Sequence, residues 1–312
     1  MATAAEVSGV PQAAAFDPIE ERARQVETTI RFVDPGRFVT RRYVRAGAEI
    51  NTGTYSDHRV IVRDGMPLRD HFELDVHGFR IARQPTAVKD FHDKTEVDRI
   101  YEAEVERHVA ALTGADKVVA RGWMLRTSAD LSQRAQEKHD NYVHAGGIQP
   151  PAGEAHVDTN TATARRMAEH TYRKHFPDGP GFKRFLVSSY WRCFSAPPQD
   201  VPLAVCDGRT SFAGEEKSNT LFIVDEFPSE EGAVRPVEGE ERMMAASIFS
   251  HNPAMRWWYF SGMTRDDVLL FKFHDSDHSR TWRCPHTAFV DSSFPDANVR
   301  ESIECRSVAF WE

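Results

Sequence analysis

The sequence predicts a mainly β protein, a jelly roll carrying N-terminal and inserted α-helices. From residue 183 onward strand-like segments follow one another at short intervals, and proline, glycine and Asp/Ser clusters punctuate them. Sustained helical periodicity is confined to two stretches, 97–112 and 161–176. Many short strands separated by turn signals argue for a sandwich or barrel, whereas a parallel α/β sheet would alternate strands with helices throughout.

Residues 1–17 are Ala-rich and without period, and read as a loose arm. The stretch 28–83 alternates, as in His71-Phe72-Glu73-Leu74-Asp75-Val76, with Gly65 and Gly78 as turn residues, and reads as short strands and hairpins prefacing the main sheet. Val97, Ile100, Tyr101, Val105, Val109 and Leu112 recur at helical spacing before the stop signal Gly114. A strand is expected at 117–126, and the polar stretch 128–151, with its Gly-Gly and Pro-Pro, reads as a loop or lid. The helix at 161–176 ends at Pro177-Asp178-Gly179-Pro180. Strands then follow at 184–194, 203–206, 220–227, 243–250, 256–260, 268–273, 282–290 and 299–311. The expectation is one domain over 18–312, with a jelly-roll core at about 117–312 and no internal repeat.

A composition of 40% hydrophobic and 28% charged residues is ordinary for a globular chain with a sizeable core. The net charge of -8 is spread along the chain, so no positive field is available for nucleic acid. The apolar runs are too short to span a bilayer, and the N-terminus lacks the pattern of a signal peptide, which reads as cytoplasmic. Cys193, Cys206, Cys284 and Cys305 are widely spaced in apolar text and need no disulfide to explain them.

The chemistry is concentrated in a few residues. Two positions apart on a strand, His156 and Asp158 point to one face and can reach one metal ion. The triplet alone is a weak signal in a chain with 14 histidines. Completed by the distant His286, it forms a 2-His-1-carboxylate face that leaves three positions open on six-coordinate iron(II). Two of these suit a bidentate 2-oxo acid and one suits O2.

After His286 a turn-rich loop leads to a further strand with Arg300 and Ser302 on one face. A guanidinium fork and a hydroxyl side by side suit one carboxylate, here the distal carboxylate of 2-oxoglutarate. The plainer alternative is that Arg300, Ser302, Glu304 and Arg306 form a solvent-facing charged row on an edge strand. The histidine pattern beside it favours the functional reading. On the strand 184–194, Arg192 is expected to bind the cosubstrate or a substrate carboxylate, Tyr190 to assist it, and Trp191 to touch substrate. Phe273-His274-Asp275-Ser276-Asp277-His278 reads as a turn near the site mouth, and His144, His170, His175 and His251 receive no role.

The segments His156-Val157-Asp158, Tyr190-Trp191-Arg192, Pro202-Leu203-Ala204-Val205-Cys206-Asp207, Trp257-Trp258-Tyr259-Phe260, Asp275-Ser276-Asp277, Pro285-His286-Thr287-Ala288-Phe289 and Arg300-Glu301-Ser302-Ile303-Glu304 resemble the cephem 7α-hydroxylase-like and gibberellin desaturase-like family of natural-product pathways. The resemblance runs from about residue 74 to the C-terminus. It implies a double-stranded β-helix with iron(II), 2-oxoglutarate and O2, and hydroxylation, desaturation or oxidative ring closure of a small metabolite, an amino acid or other carboxylate-bearing compound among the options. Tyr190-Trp191-Arg192-Cys193-Phe194 departs from the Asn-x-Trp-Arg-Pro of relatives, which leaves the substrate open. Two rivals remain at this point: an iron oxidase whose Arg300 and Ser302 hold the substrate's own carboxylate, and a metal-bound jelly roll without redox chemistry.

Overall fold

Two-residue alternation organises the whole molecule, because strands that lie between two layers must divide their side chains between them. The computed structural model describes residues 17–45, 48–130, 148–212 and 214–312. In chain order the N-terminal part contributes β1 (Gln25–Val33), β2 (Arg41–Arg45), β3 (Ala48–Asn51), β4 (Tyr55–Asp64), the short helix α1 (Leu74–His77) and β5 (Phe79–Arg83). The long helix α2 (Lys94–Thr113) leads to β6 (Lys117–Thr127), β7 (Ile148–Gln149), β8 (His156–Val157) and helix α3 (Thr161–His175). Then come β9 (Arg184–Cys193), β10 (Leu203–Cys206), β11 (Glu216–Ile223), the one-turn helix α4 (Glu230–Ala233) and β12 (Ala245–Phe249). The chain closes with β13 (Trp257–Tyr259), β14 (Asp267–Asp275), β15 (His286–Ala288) and β16 (Glu301–Trp311).

The strands form two sheets facing each other as a jelly roll. The larger has the order β1-β4-β13-β10-β15-β8-β12-β11-β2-β3 and the smaller β5-β14-β9-β16-β6-β7. The strands before Lys117 are not a preface outside the sheets. β1 pairs with β4 in antiparallel register from Gln25 opposite Arg63, and β4 in turn pairs with β13, while β5 borders the smaller sheet. The core therefore reaches further toward the N-terminus than the expected 117–312. The strand expected at 282–290 shortens to three residues, His286–Ala288.

The two helices form where the periodicity places them. Asp93 caps α2 by accepting from the Glu96 N–H, and Gly114 ends it at φ 69°, a left-handed conformation in which glycine has no Cβ to clash. The apolar stripe of α2, Val97, Tyr101, Val105 and Val109, covers the outer face of the smaller sheet against Tyr190, Leu270, Ile303 and Cys305. The opposite face of that sheet, with Val187, Trp191, Phe271, Val308 and Phe310, belongs to the core between the sheets. Gly122, at φ 84°, lets β6 bulge, so that Arg121 and Gly122 together lie opposite Arg306 of β16.

At one end of β14 the core accepts a charge network. Lys272 Nζ lies 2.7 Å from both Asp75 and Asp275, and Arg184 lies 2.5 Å from Asp275. Lys272 and Asp275 are fully buried. Burial alone would raise the Asp275 carboxyl, but Arg184 and Lys272 outweigh it and hold it below its ordinary value. Such a carboxylate stabilises the fold above the unfolded pKa of about 4, and its contribution fades as pH falls through the lower folded value. The turn expected at 274–278 is thus partly strand, its Asp275 committed to this network and not to the site mouth. Changing Lys272 to Met should cost about 3 to 5 kcal/mol in denaturant unfolding at neutral pH, because it leaves a buried carboxylate short of a partner. The deficit should shrink as pH falls below about 4, the unfolded carboxylate value, toward the lower value at which Asp275 protonates in the fold.

Candidate active site

Strand β8 is only two residues long, yet it sits between β15 and β12 in the larger sheet, and His156 lies directly opposite His286 of β15. This register brings two distant histidines together with ring centroids 4.3 Å apart. Asp158 follows β8 and turns its Oδ1 toward both rings, 3.2 Å from His156 Nε2 and 3.6 Å from His286 Nε2. The three donor atoms all lie within 4.8 Å of one another.

The chemistry of the donors is set by their neighbours. His156 Nδ1 donates to the Glu154 carbonyl at 2.8 Å and His286 Nδ1 to the Cys284 carbonyl at 3.2 Å. These bonds place the ring proton on Nδ1 and leave each Nε2 as the metal-facing donor. Burial lowers His286, and His156 beside it lowers it further. Burial would raise Asp158, but the Arg306 guanidinium and the two histidines keep it well below the usual carboxylate range. Two imidazole nitrogens and an ionised carboxylate suit a divalent first-row metal with open positions.

A second histidine–carboxylate cluster, Glu20, His71 and His77, also brings its ligand-type atoms within 4.8 Å of one another. Its chemistry differs. His77 Nδ1 accepts the Glu73 N–H at 3.1 Å, which forces the proton of the neutral ring onto Nε2, the atom that would face a metal. Arg209 and Arg256 also approach the Glu20 carboxylate, at 3.2 and 3.7 Å, and would repel a cation. This cluster is an ion-pair network.

Across the cavity from the histidines stands β16. Arg300, Glu304, Trp191 and Phe271 line the same cavity as His156 and His286. The row Arg300, Ser302, Glu304 and Arg306 therefore faces inward, and β16 is a central strand between β9 and β6, so the solvent-facing alternative does not hold. Arg300 is 1% exposed, as is Ser302. One guanidinium nitrogen of Arg300 donates to the Val201 carbonyl at 2.9 Å, while its Nε and the Ser302 hydroxyl have no hydrogen-bond partner among the described residues. Burial pulls the Arg300 guanidinium below its ordinary value.

Of the residues expected at the site, His156, Asp158, His286, Arg300, Ser302 and Trp191 are brought to one place. Arg192 and Tyr190 are not. They flank Trp191 on β9, so alternation sends them to the opposite face, under α2. There Arg192 donates to the Gln84 carbonyl at 2.7 Å and to the Arg265 carbonyl, and Tyr190 meets His108 Nδ1 at 2.7 Å. Residues that the sequence reading passed over are Arg306, whose Nη2 is 2.5 Å from Asp158 Oδ2, and Glu304, 3.2 Å from Arg306 and 3.6 Å from Arg126. Their positions two and four residues beyond Ser302 on the same strand were the available signal. Of the stretch 128–151 expected as a lid, residues 131–147 lie outside the described residues.

A metal-type donor face inside a jelly roll, opposite a buried guanidinium without a carboxylate partner, is the arrangement of a jelly-roll metalloenzyme that takes an anionic ligand. Comparison with known proteins agrees with that class. A family model described as an oxidoreductase/YMDC permease-like domain matches residues 32–310, and the chain belongs to this family. It is 28% identical over 274 residues to the hydroxylase/desaturase efuI of Hormonema carpetanum, covering 85% of this chain and 90% of that protein. It is 30% identical over 264 residues to the Fe(II)/2-oxoglutarate-dependent dioxygenase nvfI of Aspergillus novofumigatus, covering 82% of this chain and 84% of the relative. A solved structure of the iron and alpha-ketoglutarate-dependent endoperoxidase NvfI superposes with TM-score 0.72 at 25% identity, over 93% of this chain and 98% of that one. No helix of the described residues is long and apolar enough to cross a membrane.

The position of Arg192 has a direct consequence. Replacing it with Met leaves the carbonyls of Gln84 and Arg265 without that donor, at a cost of about 1 to 3 kcal/mol for each buried acceptor left unsatisfied. Thermal unfolding should show this loss, while the apparent constant for 2-oxoglutarate in the folded variant stays at the wild-type value.

Proposed function

We propose that His156, Asp158 and His286 hold iron(II) and that Arg300 with Ser302 holds the distal carboxylate of 2-oxoglutarate. The chain is an Fe(II)/2-oxoglutarate-dependent oxygenase that oxidises a small molecule. The observation that carries the site assignment is the pair of unsatisfied buried groups, Arg300 Nε and, two residues on along the same strand face, Ser302 Oγ, with Arg300 lining the cavity that the two histidines line. A buried cation without a carboxylate is costly, and a bound dianion removes that cost.

When bound, iron(II) with 2-oxoglutarate and O2 supplies the power to remove hydrogen from an unactivated carbon, releasing succinate and CO2. The chain's own residues do the rest. His156, His286 and Asp158 would hold the metal through two imidazole nitrogens and a carboxylate, a donor set that leaves room for cosubstrate and O2. Phe271 and Phe273 pack on the His286 ring, with centroids at 4.7 and 5.5 Å, and hold its plane. Trp191, Leu203, Phe271 and Ala152 give the cavity an apolar wall that suits a hydrocarbon portion of the substrate and excludes water. If the substrate is an amino acid or carries another carboxylate, Arg126 is the second cation lining the cavity, and it would meet that carboxylate while shared with Glu304, 3.6 Å away. Four buried, unpaired cysteines fit the reducing cytoplasm.

Succinate release from 2-oxoglutarate, stimulated by substrate and dependent on iron, tests the reading as a whole. Arg300→Ala should weaken cosubstrate affinity by about 2 to 5 kcal/mol, the usual cost of truncating one side of a buried charged pair. Arg300→Lys should recover part of this, since it restores charge without the planar fork, and Ser302→Ala should cost about 1 to 3 kcal/mol. Metal binding should survive all three. An unchanged oxoglutarate constant in Arg300→Ala, with a raised constant for the organic substrate, would assign Arg300 to the substrate instead.

A further inference from the structure

Asp158 has two oxygens in different surroundings. Oδ1 faces both histidine Nε2 atoms, at 3.2 and 3.6 Å, whereas Oδ2 is ion-paired with Arg306 Nη2 at 2.5 Å. Arg306 cannot swing away freely, because Glu304 holds it from the other side at 3.2 Å and Glu304 is itself met by Arg126 at 3.6 Å. Glu304 and Arg306 stand on one face of β16, whose pairing with β9 and β6 fixes their positions. The bulge at Gly122 lies directly opposite Arg306.

Resting on the reading of His156, Asp158 and His286 as the metal ligands, we propose that Arg306 is a positioning residue that keeps Asp158 a one-oxygen ligand. A carboxylate is able to bind a metal through one or both oxygens. In a site that must keep three positions open, the second oxygen would occupy one that the 2-oxo acid or O2 needs. Arg306 engages that oxygen with a charge that a metal ion cannot displace without also moving Glu304 and Arg126. The same guanidinium places a like charge near the metal, so it trades metal affinity for vacancy.

This trade gives the test a distinctive sign. Cobalt(II) is titrated into the wild type, Arg306→Met, Arg306→Lys and His286→Ala, with the cobalt d–d absorption, which weakens as coordination number rises, as the readout. 2-Oxoglutarate is then titrated into each cobalt form. Arg306→Met should bind cobalt as tightly as the wild type or more tightly and show a weaker d–d band, while its affinity for 2-oxoglutarate falls about tenfold or more, at the scale of groups that orient metal ligands. Arg306→Lys should restore most of the cosubstrate affinity. A residue that only braced Asp158 would behave oppositely: Arg306→Met would lose cobalt affinity and the cobalt-loaded fraction would bind 2-oxoglutarate normally, which overturns the proposal. An Arg306→Met protein equal to the wild type in both titrations also overturns it. If His286→Ala binds cobalt like the wild type, the metal-ligand assignment itself fails, and that result is distinct from either of the others. Should Arg306→Met fail to fold, Arg306→Gln carries the same expectations.

Discussion

Each side chain of β16 faces either the cavity or the layer beneath α2, and the function of the molecule rests on that division. Arg300, Ser302, Glu304 and Arg306 share the cavity face, followed by Val308 and Phe310, which continue the same face into the core between the sheets. The alternate residues Ile303, Cys305 and Ala309 pack under α2. A shift of one residue in register would bury the charged row against α2 and turn apolar side chains toward His156, Asp158 and His286. The long antiparallel pairings to β9 and β6 are what prevent it.

The charges on that face are balanced in an informative way. Arg306 is met by Asp158 and Glu304, and Arg126 by Glu304, so the two carboxylates are shared between these two guanidinium groups. Arg300 is the cation left over. Its backbone N–H is tied to Asp200 and Ser128, at 3.0 and 2.8 Å, which fixes where the strand begins without neutralising the side chain. A protein that buries a cation without a partner bears a desolvation cost, and such sites mark places where a ligand supplies the missing charge.

The sequence made the candidate metal cluster legible because its signal is local and chemical. The spacing of His156 and Asp158 needs only an extended backbone to put both on one face, and Arg300 with Ser302 follows the same rule. What failed was parity on β9. That strand is buried on both faces, so Tyr190, Trp191 and Arg192 carry no polar–apolar alternation to say which of them turns inward, and two of the three face α2 instead. The entry of β1 and β4 into the large sheet was hidden for a different reason: pairing between β4 and β13 joins segments nearly two hundred residues apart, and no local pattern encodes such a partner. Arg306 was passed over because its meaning depends on Asp158 lying across the cavity.

The two faces of β9 also show why the site and the fold cannot be separated. Trp191 forms part of the cavity wall, while its neighbours Tyr190 and Arg192 tie the strand to α2 and to the carbonyls of Gln84 and Arg265. Arg192 is fully buried, yet the donors that the described residues engage end on carbonyl and tyrosine oxygens, so its burial is compensated within the fold. Arg300 is buried to nearly the same degree but keeps Nε without a partner. Two arginines of equal burial on adjacent strands therefore have opposite meanings: satisfied donors under a helix anchor the sheet, and unsatisfied donors facing a metal-type cavity call for a ligand. The distinction rests on hydrogen-bond accounting, and neither residue type nor burial alone supplies it.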